Sequence, residues 1–406
     1  MSPGSGRSSA GDAGMRGRRA GGGPRVDSRA CIDLPRRNWL RQTARWLAIG
    51  FVAPPALAGC ARALRSNADS VTVYTSVDDV LARTVLAQCE AATGVAISPL
   101  FDTEATKTTA LEGRIRSERE RPRADLFWSS EGFAVRRLAR DGLLAPIPEG
   151  VWSAWPAPHR DPDRNWIAFA ARARVVVTKV GDPSPTMWAD LASPSLAARV
   201  QRPASTMIAV ADPRFGTTGA HFAALDDAWR RAGDAGVEVP TLDAWLDGMR
   251  RNGVRVYQGG NAATVDAVAR GECSFGLTDT DDALAAIARG LPISMSLPRS
   301  LPEGVSGGGT MLVPNTVAIV RSGPGQRDPV ERVLAWLVSA DSERLIADSP
   351  SRNLPLGPAR SVDLPYAESD PLVFDALAAS ERAADLAVRA KARLEGSAAL
   401  AAGVGR

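Results

Sequence analysis

The chain is poor in the residues from which most binding and catalytic chemistry is assembled. Its 406 residues hold two histidines, His159 and His221, and four cysteines, none in a CxxC pair. That inventory excludes a zinc ribbon or any other Cys/His metal centre. Tyrosine is nearly as scarce, with Tyr74, Tyr257 and Tyr366 as the whole set. Lysine is limited to Lys107, Lys179 and Lys391, so 46 of the 49 cationic residues are arginine. With so much alanine and glycine beside it, this bias looks like codon usage and is weak ground for phosphate binding. No apolar run reaches the roughly 20 residues that a membrane-spanning helix needs. Also missing are a nucleophile elbow, a Walker loop, a dinucleotide fingerprint, a metalloprotease motif, coiled-coil heptads and an internal repeat. Those absences argue against an enzyme, although paired acids keep a carboxylate-based hydrolase in view as the competing class.

The net charge of +4 misleads until the first 59 residues are set apart. They carry ten arginines against Asp12, Asp27 and Asp33, a surplus of +7, so residues 60–406 sit at −3. The pI near 9.1 belongs to the precursor, and no nucleic-acid partner is expected. The same leader has a basic stretch, an apolar segment from Trp46 to Ala58 broken by Pro54-Pro55, and the small-residue ending Leu57-Ala58-Gly59-Cys60. This is the layout of an export signal rather than an anchor helix. The remaining 347 residues exceed the 250–300 or so at which one core stops growing, so two domains are expected. In an oxidising compartment Cys89 and Cys273 would be free to pair, but each lies in an apolar pattern that suits a small buried hydrophobe.

From Val71 onward, strand and helix patterns alternate. Val71–Thr75 is β-branched and alternating, and Val80, Leu81, Val85, Leu86, Cys89 and Ala92 share one helix face ending at Gly94. Val95–Phe101 and Ala124–Trp128 read as strands around a charged helix, Lys107–Arg121. A second α/β set runs through strands Met207–Val210, Val254–Gln258 and Ser274–Thr278, with helices after Gly219, at Thr241–Asn252 and at Thr264–Arg270. Arg172–Val177 and Thr316–Val320 are extended and apolar, and read as two crossover strands between the sets. Amphipathic helices are expected at Pro329–Ser339 and Asp370–Glu395. This order predicts mostly parallel sheets with ligands beyond the carboxyl ends of the strands.

Three segments near those ends carry chemistry. Pro213-Arg214-Phe215-Gly216-Thr217-Thr218-Gly219 feeds a helix start, where unpaired N–H groups and hydroxyls suit an oxyanion; a plain capped helix is the bland alternative. Gly259-Gly260-Asn261 opens the next helix and offers a ligand contact or an ordinary turn. Asp279-Thr280-Asp281-Asp282 is either a capped, dipole-compensated helix start or a cluster of hard oxygen donors. Asp78, Asp79, Glu104 and Glu131 lie at other strand ends, with Ser76 and Ser130 beside them. Trp128 either walls a pocket there or belongs to the core.

Several stretches resemble known families. Leu57-Ala58-Gly59-Cys60 is similar to the lipobox of bacterial lipoproteins, which implies lipidation of Cys60, and Arg36-Arg37-Asn38-Trp39-Leu40-Arg41 resembles a twin-arginine signal. An ordinary Sec signal is the alternative. Val73-Tyr74-Thr75-Ser76, Asp125-Leu126-Phe127-Trp128-Ser129-Ser130, Ala189-Asp190-Leu191-Ala192-Ser193-Pro194 and Gly271-Glu272-Cys273-Ser274-Phe275-Gly276-Leu277-Thr278-Asp279 together resemble periplasmic solute-binding proteins of ABC importers, nearest the ferric-ion-binding branch.

The resemblance implies an α/β type II clamshell with an interlobe cleft and hinge closure. It divides the chain into a leader at 1–59, an anchored linker at 60–70, one lobe from 71–172 plus 305–345 and another from 173–304 plus 346–396. It further implies an inner-membrane permease partner, a monomer, and Fe(III) as transported ligand rather than cofactor. The chain departs from that branch at two places: Asp281 and Asp282 stand where relatives carry two iron-binding tyrosines, and Val77-Asp78-Asp79 stands where some relatives carry a histidine at the end of the first strand. The expected ligand set is therefore Asp281, Asp282, Asp279, Glu131 and Asp78. Ser76, Ser130, Thr217, Thr218, Gly219, Asn261 and Glu104 are the expected anion or ligand contacts. The open alternatives are a phosphonate, sulfate, thiamine or polyamine as cargo, and a sensory role without a permease.

Overall fold

The computed structural model describes residues 70–102, 109–200, 206–325, 327–357, 364, 366 and 370–396. Its first half alternates β1 (Ser70–Thr75), α1 (Asp79–Thr93), β2 (Ala96–Phe101), α2 (Thr109–Ser117), β3 (Leu126–Ser129), α3 (Phe133–Arg140), β4 (Leu144–Ala145) and α4 (Glu149–Ser153). Helix α1 buries Ala82, Val85, Leu86 and Cys89 on one face. It stops where Gly94 adopts φ 70° and its N–H closes on the Glu90 carbonyl at 2.9 Å. The long strand β5 (Ile167–Lys179) then leads into β6 (Thr206–Ala211), α5 (Gly216–Asp234), α6 (Leu242–Arg251), β7 (Val254–Tyr257), α7 (Gly260–Arg270), β8 (Cys273–Asp279), α8 (Thr280–Ala288) and β9 (Ile293–Ser296). Strand β10 (Leu312–Val320) returns to the first half, followed by α9 (Arg327–Leu337), α10 (Ala340–Asp348) and α11 (Ala376–Glu395). Among the described residues no helix is long and apolar enough to cross a membrane.

The strands follow the order β2-β1-β3-β10-β5-β8-β6-β7, with β4 on β10 and β9 on β5. Among the described strands, parallel pairing is confined to β1 with β2 and β3, and to β6 with β7 and β8. The connecting strands β5 and β10 run antiparallel to every neighbour, so the sheet is mixed rather than mostly parallel. Both expected crossovers are longer than their apolar cores suggested. Through Ala173, β5 pairs with β10; from Arg174 onward it pairs with β8. One strand thus belongs to both halves.

Each half has its own core. Val71, Val85, Cys89, Trp128, Phe169, Val317, Leu337 and Ile346 pack together in the first. Ile208, Phe222, Trp229, Trp245, Phe275, Leu386 and Leu394 do so in the second. Full burial of such side chains contributes about 1.5–3 kcal/mol each. Cys89 and Cys273 are free thiols in separate clusters. A passage between lobes at 345/346 would cut α10 in two; Ile346 shares the first core with Leu337, so the whole helix stays with the first half. Helix α11 packs along α5 and α6, and also meets α3 through Arg137 Nη1 on the Ser380 carbonyl at 3.1 Å.

Candidate functional site

The carboxyl ends of the strands from both halves surround a cleft of about 290 Å³. Val77, Asp78, Leu81 and Ser130 line it from the first half. Asp212, Phe215, Gly216, Thr217, Gln258, Asn261, Asp279, Asp281 and Asp282 line it from the second, and Arg172, Asn315 and Asn353 from the connecting segments between them. No tyrosine, histidine or cysteine is among the described residues of this lining.

Asp279 closes β8 and is 1% exposed. Its Oδ1 accepts from Arg174 Nη1 at 2.6 Å; its Oδ2 accepts from Arg172 Nε at 3.0 Å, Thr217 Oγ1 at 2.7 Å and Asn261 Nδ2 at 3.0 Å. Burial alone would raise the pKa of this carboxyl, but Arg174 and then Arg172 outweigh it and hold the group below the ordinary range. Although Asp279 occupies the N-cap position of α8, its side chain makes no cap bond. The expected capping role is replaced by neutralisation of two buried guanidiniums.

Asp281 and Asp282 stand in the first turn of α8, where negative charge complements the helix dipole. The Asp282 N–H donates to Asp281 Oδ1 at 3.0 Å, and Thr278 Oγ1 lies 3.4 Å from Asp282 Oδ2. Asp281 Oδ2 is also 3.6 Å from Arg172 Nε. One carboxylate oxygen from each of Asp279, Asp281 and Asp282 lies within 4.8 Å of the others, a spacing that suits a hard cation. Asp279 is already saturated by four donors.

Thr217 and Asn261 reach the cleft through the turns that open α5 and α7, and both bind Asp279 rather than an open space. Other expected contacts lie elsewhere. Glu131 is 4% exposed and is not part of the lining. Its carboxylate accepts from the backbone N–H of Phe133 and, at 3.0 Å, of Ala134, capping α3, while burial pushes its pKa up. Ser76 accepts from the Ser130 N–H at 2.9 Å and thereby ties β1 to β3. Trp128 does not wall the cleft; it packs on Phe169 with ring centroids 5.9 Å apart. Thr218 is fully buried behind the lining. Gly219 is a packing residue, because a Cβ there would fall 2.2 Å from the Pro213 carbonyl oxygen. Glu104 and Cys60 lie outside the described residues.

Five polar residues of the cleft region escaped the reading of the sequence. Arg172 and Arg174 had a signal: two arginines two apart on an apolar strand share one face and demand a buried acid. Asp212 accepts from Lys391 Nζ at 2.5 Å and Arg214 Nη2 at 2.7 Å, which hold its pKa down against burial. Asn315 and Asn353 had no local signal, since their place depends on how the connecting segments meet.

A family model described as bacterial extracellular solute-binding protein matches residues 70–347. The iron uptake protein A1 of Synechocystis sp. is 25% identical over 257 residues, 60% of this chain and 65% of that protein, so the match spans less than two thirds of the relative. Among solved structures, iron-bound HitA from Pseudomonas aeruginosa superposes with a TM-score of 0.64 at 18% identity, covering 79% of this chain and 99% of that one. AfuA from Actinobacillus pleuropneumoniae with exogenous fructose-6-phosphate bound gives 0.61 at 17% identity, over 79% and 96%. These likenesses give the fold, a type II periplasmic-binding-protein clamshell. By its match over most of the described residues, and by a cleft built between two α/β halves, the chain belongs to the bacterial extracellular solute-binding protein family.

Proposed function

We propose that the chain is the capture component of an ABC importer, held on a membrane outside the cytoplasm by lipid on Cys60, and that its cargo is ferric ion or a closely related hard cation. The observation that carries this reading is the group of Asp279, Asp281 and Asp282 in the cleft, with carboxylate oxygens within 4.8 Å. Asp281, Asp282 and Asp78 supply the oxygen donors, and Asp279 serves as the fixed counter-charge of Arg172 and Arg174. The names of the Synechocystis relative and of HitA support iron as cargo. Since the described lining holds no tyrosine, a ferric complex here lacks the visible phenolate-to-iron charge-transfer band. The clamshell supports capture by hinge closure and delivery to a permease.

Melting curves with ferric citrate, other metals, phosphate, phosphonates, sulfate, thiamine and polyamines test the reading, together with metal analysis of the purified protein. A ligand specific to the folded state adds about 2.7 kcal/mol at a hundred times its dissociation constant. A shift with ferric citrate and none with the anions or organic solutes is expected. The second reading, an anionic organic solute, is favoured by the Arg172 guanidinium at the cleft wall and by the sugar phosphate in AfuA. A shift with a phosphonate or phosphate and none with metals selects it.

A further inference from the structure

Strand β5, one of the two strands that the halves share, contains a strained residue whose bonding leaves two amide oxygens unspent. Between Pro314 and Asn315 the register of β10 slips, pairing Ala171 with Pro314 and Phe169 with Asn315, so Ala170 is the extra residue of a bulge in β5. Ala170 has φ 45°, a left-handed conformation that side-chain-bearing residues hold only under constraint. Its N–H is taken by the buried Glu343 carboxylate at 3.1 Å, and the same carboxylate accepts from the backbone N–H groups of Leu356 and Gly357. Its carbonyl, lost to the ladder, accepts from Asn315 Nδ2 at 2.5 Å and Asn353 Nδ2 at 3.1 Å.

That arrangement fixes which way both amides face. A flipped side chain would set an oxygen against the Ala170 carbonyl oxygen, so the nitrogens must point at the hinge and the Oδ1 atoms away from it. Both residues line the cleft and are at least 98% buried, and Asn353 Oδ1 has no partner among the described residues. A buried acceptor left unpaired costs about 1–3 kcal/mol, a cost removed when a donor or a cation enters.

We propose that Asn315 and Asn353 are cargo ligands, presenting their Oδ1 atoms to a cation that Asp281 and Asp282 also hold, and that they couple cargo to the hinge through Ala170. The assignment rests on the cation reading above and deepens it. The site is an all-oxygen acceptor set of carboxylates and amide carbonyls, suited to a hard metal ion or to an organic ammonium group. Because the same two side chains grip the bulge carbonyl, cargo on their oxygens stabilises the hinge geometry in which they converge.

The test is calorimetric titration of the full chain with ferric citrate, manganese(II) and spermidine, in wild type, Asn315→Leu, Asn353→Leu, Asn315→Asp, Asn353→Asp and the Asp281→Ala/Asp282→Ala double variant. Leucine removes donor and acceptor; aspartate keeps an acceptor and loses the hold on Ala170. The proposal expects the leucine variants to lose about tenfold or more in affinity, the loss of a bond to a charged group, and the aspartate variants to bind more tightly than wild type. Their unliganded melting temperatures fall in both cases, which separates binding from hinge support. If the leucine variants do not fold, the aspartate variants decide: tighter binding supports the assignment, and unchanged affinity or a roughly tenfold loss overturns it. Equal losses in aspartate and leucine variants, or no loss in either while the Asp281/Asp282 double variant fails to bind, overturn the amide assignment and leave the cation reading intact. Binding to none of the three probes overturns both. Which probe binds distinguishes a metal ion from an ammonium.

Discussion

Asp279 is the residue on which the chemistry of the cleft turns, because it fixes where charge is available and where it is spent. It faces two buried guanidiniums, and removing one partner of such a group costs about 3–5 kcal/mol. Asp279→Asn is therefore expected to lower stability by that order in denaturant unfolding; a loss under about 1 kcal/mol would mean that the guanidiniums find other partners. The pH dependence has a definite sign. The folded pKa of Asp279 is held below its unfolded value near 3.9. Its contribution is thus complete above that value and is lost as pH falls through the folded pKa, so wild type and Asp279→Asn converge in acid. Glu131 behaves oppositely, since burial raises its pKa. Relative to Glu131→Gln, the wild type is expected to be most stable below about pH 4 and to lose ground as pH rises through the folded pKa; an advantage that grows with pH would contradict the burial penalty on its charged form. The run from Asp279 to Asp282 was legible as an acidic cluster. The neutralisation of Asp279 by two buried guanidiniums was not, because Arg172 and Arg174 lie 107 and 105 residues away in the chain.

At the scale of elements, the periodicities locate β1, β2, β3, β6, β7 and β8 and the helices α1, α2, α5, α6 and α7 but not α3, β4, α4 or β9, since alternation and the 3.6-residue repeat record which face is buried only in the longer elements. The bulge at Ala170 leaves no such record: nothing in Ala168-Phe169-Ala170-Ala171 marks one alanine as left-handed, and its partners Asn315, Glu343 and Asn353 come from three later segments. The start of α5 shows a different failure. Thr217-Thr218-Gly219 has the composition of an anion-binding turn, yet its residues are divided among the Asp279 network, the buried side of the helix and a close approach to Pro213. Gly219→Ala sets a methyl 2.2 Å from the Pro213 carbonyl, so it is expected to cost about 1–3 kcal/mol of stability through overpacking. Affinity of the folded fraction for ferric citrate should be unchanged. A selective loss of affinity at normal melting temperature would restore Gly219 to the ligand contacts.

For the molecule as a whole, two α/β halves share β5 and β10 and present their strand ends to one cleft. The crossover pattern was visible in two apolar extended segments; the antiparallel sense of those strands was not, since a single strand does not encode its neighbour's direction. The scarcity of tyrosine was equally visible, and it shapes the central proposal that carboxylates, chiefly Asp281 and Asp282, hold a cation in this cleft. The most direct test is a titration of ferric citrate into the wild type and the Asp281→Ala/Asp282→Ala double variant, each checked for folding by its melting curve. The account predicts saturable binding without a visible charge-transfer band in the wild type, lost in a folded double variant. Unchanged binding in that variant, or no binding in the wild type, would contradict it.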